Sequence, residues 1–169
     1  MSITAFSATA TNDFITKRKP LLEPDGGDDT VSVRYAIPLT AADVNTTDHG
    51  GVIGYLPARC VPVSLVLDTD DLDSGTALVW SVGLGAVDET TGVQTNTAIY
   101  TNTISGGAAW VTGNTTSQAG GAVAIVSKAL MRVQPSNQDR AILIHATTGA
   151  GSSGQIGEIG LTLTYRQYY

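Results

Sequence analysis

The chain is short of the residues that do chemistry. Only two of its 169 residues are histidine and one is cysteine, and charged residues make up 14%, against roughly 25% in an average soluble domain. A lone cysteine, Cys60, excludes an internal disulfide framework and a multi-thiolate metal site. The net charge of −6 and a sequence pI near 4.6 argue against non-specific attraction to nucleic acid or anionic lipid. No apolar run approaches the roughly 20 residues needed to span a bilayer. Met1-Ser2-Ile3-Thr4-Ala5-Phe6 has no basic stretch followed by an apolar block, so no secretory signal is read there and cytoplasmic synthesis is expected. What the chain has instead is 23 threonines, 19 glycines and a 42% hydrophobic content. That content is enough for one self-sufficient core at this length. Enzymes concentrate tuned ionisable groups in a cleft; this composition points to a structural or binding protein with no cofactor.

Two regions differ in pattern. Residues 1–30 show no amphipathic period: Phe6, Phe14 and Ile15 stand isolated among Ser, Thr and Ala. The basic run Lys17-Arg18-Lys19 follows, then Pro20, Pro24 and the acidic turn Asp25–Asp29. This segment is expected to be an extended arm. Its candidate partner-binding residues are Phe6, Phe14, Lys17, Arg18 and Lys19, the cations clamping an acidic protein surface. Residues 31–169 are expected to form one β domain. Val31, Val33, Tyr35 and Ile37 alternate with small or polar residues until Pro38, which is expected to end the strand. Val61, Val63, Leu65 and Leu67 read as one face of a second strand, and Leu78, Trp80, Val82 and Leu84 as one face of a third. Further strands are expected at Val123–Val126, Leu130–Val133, Ala141–Ile144 and Ile159–Tyr165, with a short helix near Ala41–Asn45. The Thr-, Asn- and Gly-rich stretch 86–121 reads as short strands and long loops. Seven or eight strands with unequal loops and no crossover helices predict an all-β fold, an antiparallel jelly-roll-like β-sandwich.

Several motifs invite chemistry and fall short of it. Gly149-Ala150-Gly151-Ser152-Ser153-Gly154 matches the dinucleotide fingerprint in letters, but a glycine-broken strand follows where a helix must begin; a flexible hairpin loop is expected. Asp68, Asp70, Asp71 and Asp73 fit no EF-hand register, so a solvated turn is expected there, with calcium left open. His49 and His145 have no nucleophile at a recognisable spacing, and His145 reads as a strand-end residue with one satisfied nitrogen. Cys60 reads as a buried small hydrophobe. Asn45-Thr46-Thr47 and Asn114-Thr115-Thr116 are glycosylation sequons by pattern alone. With six Lys+Arg against ten Asp+Glu, residues 31–169 are expected to present no dominant basic face, and no nucleic acid or membrane partner is expected.

Four stretches carry a family likeness: Ile37-Pro38-Leu39-Thr40, Gly54-Tyr55-Leu56-Pro57, the region from Val66 to Asp68 with Asp71–Gly75, and the run Gly157–Arg166. They resemble small virion proteins of tailed bacteriophages, above all head decoration or cement proteins, over most of residues 30–169. The resemblance implies a homotrimeric jelly-roll protein on the outer surface of the phage head, bridging subunits of the major capsid protein without enzymatic activity. The alternative is a head-fibre or tail-associated receptor-binding domain that presents glycan-binding loops, for which Trp110 with Asp88 and Glu89 is the nearest candidate. A small hydrolase is the weaker third reading.

Overall fold

The computed structural model describes residues 30–86 and 108–168. Its strands are β1 (Thr30–Leu39), β2 (His49–Leu56), β3 (Cys60–Thr69), β4 (Val79–Leu84), β5 (Ala108–Asn114), β6 (Gly121–Ile125), β7 (Arg140–Thr148) and β8 (Gly157–Gln167). One-turn helices α1 (Ala41–Asn45) and α2 (Lys128–Met131) join them. The strands form two four-stranded sheets, ordered β1-β8-β3-β6 and β2-β7-β4-β5, and every pairing is antiparallel. This interleaving of strands between two sheets is the eight-stranded jelly roll.

The period-two pattern of the sequence maps directly onto the first sheet. Tyr35, Ile37 and Leu39 of β1 and Ile159, Leu161, Leu163 and Tyr165 of β8 are buried, while Ser32, Arg34 and Pro38 are exposed. From the second sheet Trp80, Val82, Leu84, Ile142 and Ile144 complete the core. Each such side chain contributes about 1.5–3 kcal/mol by leaving water. The helix α1 forms where it was expected. Asp43 reaches back to accept hydrogen bonds from the backbone N–H of Thr40 at 2.8 Å and its hydroxyl at 2.7 Å, closing the first turn.

Four local expectations differ from the structure, each for a physical reason. Pro38 does not end β1, because β1 is an edge strand and a missing N–H on its open side costs no ladder bond. Leu130–Val133 is not a strand. Ser127 caps a helical turn by accepting from the Leu130 N–H at 3.1 Å, and only Leu130 of that turn is fully buried. In β3 the ladder to β8 slips between Pro62 and Ser64, a bulge that inverts the phase of the strand. Leu65 and Leu67 point to the core, but Val61 is only half-buried and Val63 is exposed. Finally, residues 149–156 are not a hairpin loop, since β7 and β8 belong to different sheets.

Candidate interaction surface

The ladders define two ends of the sandwich. Thr30, Cys60, Leu84, Arg140 and Gln167 lie at one, here the arm end because β1 starts there; Leu39, Thr69, Val79, Thr148 and Gly157 lie at the other, the far end. The far end is tied together by Asp73, which is fully buried. Its carboxylate accepts from the backbone N–H of Gly75 at 2.9 Å, Ala77 at 2.9 Å and Leu78 at 2.8 Å, and from the Ser153 hydroxyl. Burial alone would raise the Asp73 carboxyl, but the bonds from Ser153, Leu78, Gly75 and Ala77 together outweigh it and hold it below the usual carboxylate range. Asp73 is thus a structural junction and not part of a solvated turn, whereas Asp70 and Asp71 are exposed as expected. Asp68 pairs with Arg34, which also reaches Glu158 at 2.8 Å, and Asp70 accepts from the Glu158 N–H at 2.7 Å. Among the described residues no three His, Cys, Asp or Glu side chains group as metal ligands.

The glycine-rich stretch is fastened to α1. Gly149 N–H donates to Thr47 Oγ1 at 3.0 Å, Ala150 N–H to Val44 O at 2.8 Å and Gly154 N–H to Asn45 Oδ1 at 2.9 Å. A β-carbon at Gly149 would sit 2.5 Å from Asn45 O, and one at Gly154 2.6 Å from Val44 Cγ2. Gly149 and Gly154 leave room for the α1 segment and Gly151 adopts a left-handed backbone at φ 69°, so the loop is pinned rather than flexible.

The histidines sit nearby without joining a catalytic set. His145 is an interior residue of β7, 3% exposed, and its Nε2 makes no hydrogen bond among the described residues although Asp48 Oδ1 is 3.6 Å away. It is therefore not the strand-end residue expected. Burial pushes its pKa down, with His49 adding to the effect and Asp48 opposing it. His49 Nε2 lies 3.8 Å from Asp43 Oδ1, and the Ser153 hydroxyl is engaged by Asp73. Cys60 is buried, as expected. Trp110 is 2% exposed within β5 and offers no aromatic platform to a glycan. Asp88 and Glu89 lie outside the described residues, as do Phe6, Phe14, Lys17, Arg18 and Lys19.

The arm end has a different character, and composition did not reveal it. Among the described residues every carboxylate except Asp139 lies towards the far end, whereas Arg59, Lys128, Arg132, Arg140 and Arg166 lie at the arm end. A basic face does exist, because folding sorts charges that a total merely adds. This end also carries an open groove of about 400 Å³, lined by Val61, Val63, Met131, Val133, Pro135 and Tyr168 with Thr30, Pro62, Gln134 and Arg166. The bulge in β3 builds it. By turning Val61 and Val63 outward beside α2, it places apolar side chains on the surface.

No protein-family model and no curated protein matches the chain in sequence. Solved structures do match it in fold. A chain in the capsid of Ralstonia phage GP4 superposes with a TM-score of 0.72 and 25% identity, over 93% of this chain and 96% of that one. A chain of the capsid asymmetric unit of cyanophage Pam1 superposes with a TM-score of 0.54 and 18% identity, over 97% and 98%. The jelly roll of this chain is therefore a fold found in phage capsids.

Proposed function

We propose that this chain is a structural protein of a bacteriophage virion, specifically a decoration or cement protein. It binds the outside of the head as a homotrimer, bridges subunits of the major capsid protein and catalyses nothing. The observation that carries this reading is the likeness to the GP4 capsid chain, which spans nearly the whole of both chains. Composition agrees with it. Thr-, Gly- and Ala-rich surfaces lose little side-chain entropy on being covered. Trimerisation and docking would also cover the open edges of β1 and β6 in one sheet and β2 and β5 in the other. The receptor-binding alternative loses its nearest candidate with the burial of Trp110.

A protein that binds only the assembled shell stabilises it by mass action. Shells carrying this chain are therefore expected to withstand heat and low ionic strength better than bare shells. The gain should saturate at a fixed copy number set by the lattice. Calorimetry of bare and decorated shells of the parent phage, with a virion map, tests this. Equal melting, or density at the tail tip alone, would reject the reading.

The N-terminal arm is the proposed anchor, with Phe6 and Phe14 as apolar contacts and Lys17, Arg18 and Lys19 as the clamp. Deleting residues 1–29 removes no partner of the β1–β8 ladder, which begins at Thr30 and Arg166. The truncated chain is expected to keep its β circular dichroism and to lose shell binding in a sedimentation assay. Undiminished co-sedimentation would show that the arm is not the anchor.

A further inference from the structure

We propose that the groove at the arm end is the domain's own docking contact, and that it takes a segment of the shell protein carrying carboxylates beside apolar side chains. This rests on the reading of the chain as a shell-binding protein and adds which surface docks and what chemistry it meets.

Two independent observations converge on this groove. The first is where apolar surface is left open. Among the described residues the large exposed hydrophobics are Val63, Val126, Met131, Ile156 and Tyr168, and three of them, Val63, Met131 and Tyr168, line this one groove. Concentrated apolar surface of this kind marks an interaction site.

The second is unsatisfied charge. Arg34, towards the other end, is held by Asp68 and Glu158. By contrast Arg59, Lys128, Arg132 and Arg166 have no carboxylate partner among the described residues, and Asp139, the carboxylate at this end, already accepts the Ala58 N–H at 2.7 Å. Lys128 opens the α2 turn and Arg132 caps its end, next in sequence to Met131 and Val133 of the groove lining. Arg166 lies in the groove lining itself. The surface thus supplies apolar lining with Arg166 in it and Arg132 flanked by the lining residues Met131 and Val133, and a complementary partner must supply the reverse.

Other occupants fit less well. The acidic far end of a second copy would match in charge, but that contact is head-to-tail and does not close, so it would build open filaments. Nucleic acid would engage the guanidinium groups but leave Val63, Met131 and Tyr168 unused, and a chain of net charge −6 repels it.

The test uses the full-length protein and bare shells. The variant R132Q/R166Q removes two positive charges at the arm end, and S152E/Q155E adds two negative charges at exposed or loop positions of the far end. Both shift the net charge from −6 to −8. Exposed charge pairs carry modest energies, so R132Q/R166Q is expected to weaken shell binding about fivefold to tenfold and to flatten its salt dependence. S152E/Q155E should bind as the unaltered protein does, and Met131→Ser, at a position 59% exposed, should weaken binding without lowering the melting temperature. Zero-length carbodiimide coupling should join Lys128 to a carboxylate of the shell protein.

Equal weakening by both charge variants, or by neither, while the unaltered protein binds, overturns the groove assignment and leaves the virion reading standing. So does coupling of Lys128 to the chain's own Asp25, Asp28 or Asp29, a concentration-dependent filament lost in R132Q/R166Q, or retention of DNA by the unaltered protein alone. Failure of the unaltered protein to bind shells overturns the virion reading, and this inference with it.

Discussion

Asp73→Ala is expected to destabilise the folded domain by about 3–5 kcal/mol, because three backbone N–H groups and a hydroxyl lose a charged acceptor in a buried site. For a domain of this size that is a fall in melting temperature of roughly 10 °C. The informative companion is Asp73→Asn. It preserves shape, but its single oxygen can accept either from Ala77 and Leu78 or from Gly75 and Ser153, and its NH2 then opposes the donors on the other side. If the junction works by accepting hydrogen bonds, asparagine costs nearly as much as alanine; if it works by filling space, asparagine is benign. The pH dependence has a fixed sign. The folded carboxyl sits below its ordinary value of 3.8, so its stabilisation is fully present above that value. It is lost as pH falls through the lowered folded value. The gap in melting temperature between the unaltered protein and Asp73→Asn should therefore be constant at neutral pH and narrow only in strong acid. A gap that closes between pH 5 and 7 would contradict this account.

Trp80→Ala is expected to cost a further independent 3–5 kcal/mol, roughly the loss of a large buried side chain plus the cavity it leaves. Trp80 is completely buried within β4 and belongs to the hydrophobic core. Its indole N–H has no hydrogen-bond partner among the described residues, so Trp80→Phe discards an unsatisfied donor along with some volume and should cost much less. Trp110 is also buried, so its replacement by phenylalanine isolates the emission of Trp80. That emission should be blue-shifted in the native protein and move to the red on unfolding. A water-exposed maximum in the folded state would mean that β4 is turned over by one residue.

These two residues show what could be read in the sequence and what could not. Trp80 was legible because Leu78, Val82 and Leu84 repeat its period, and period two is a local property of one strand. Asp73 was not. Its neighbours Asp70 and Asp71 look the same in sequence, and only the arrival of Ser153 and the fold of 75–78 bury this one. The same limit explains Val61 and Val63. They continue the pattern of Leu65 and Leu67 in letters, but a bulge opposite Tyr165 and Thr164 turns them outward. The helix α1 could be placed from Ala41–Asn45, whereas Leu130–Val133 looked like strand from its three apolar letters, which one capping serine outweighs. Charge was the least legible feature. Totals said that no basic face dominates, while the ladders gather Arg59, Lys128, Arg132 and Arg166 at one end. Most of the fold lay in local pattern; the candidate surface lay in contacts between residues far apart in the chain.

The strand order also has a consequence for how the protein is made. β1 pairs with β8 and with no other strand of its sheet, and β8 is also the strand on which β3 depends. Thr30 thus waits for Arg166, the full span of the domain. A ribosome releases the chain from its N-terminus, so the first sheet cannot close until β8 has emerged. Such long-range pairing is slow and leaves β1 and β3 as open edges meanwhile. A product that stops short of Gly157 lacks the strand between them. It should be cleared by proteases instead of accumulating, so only completed chains persist.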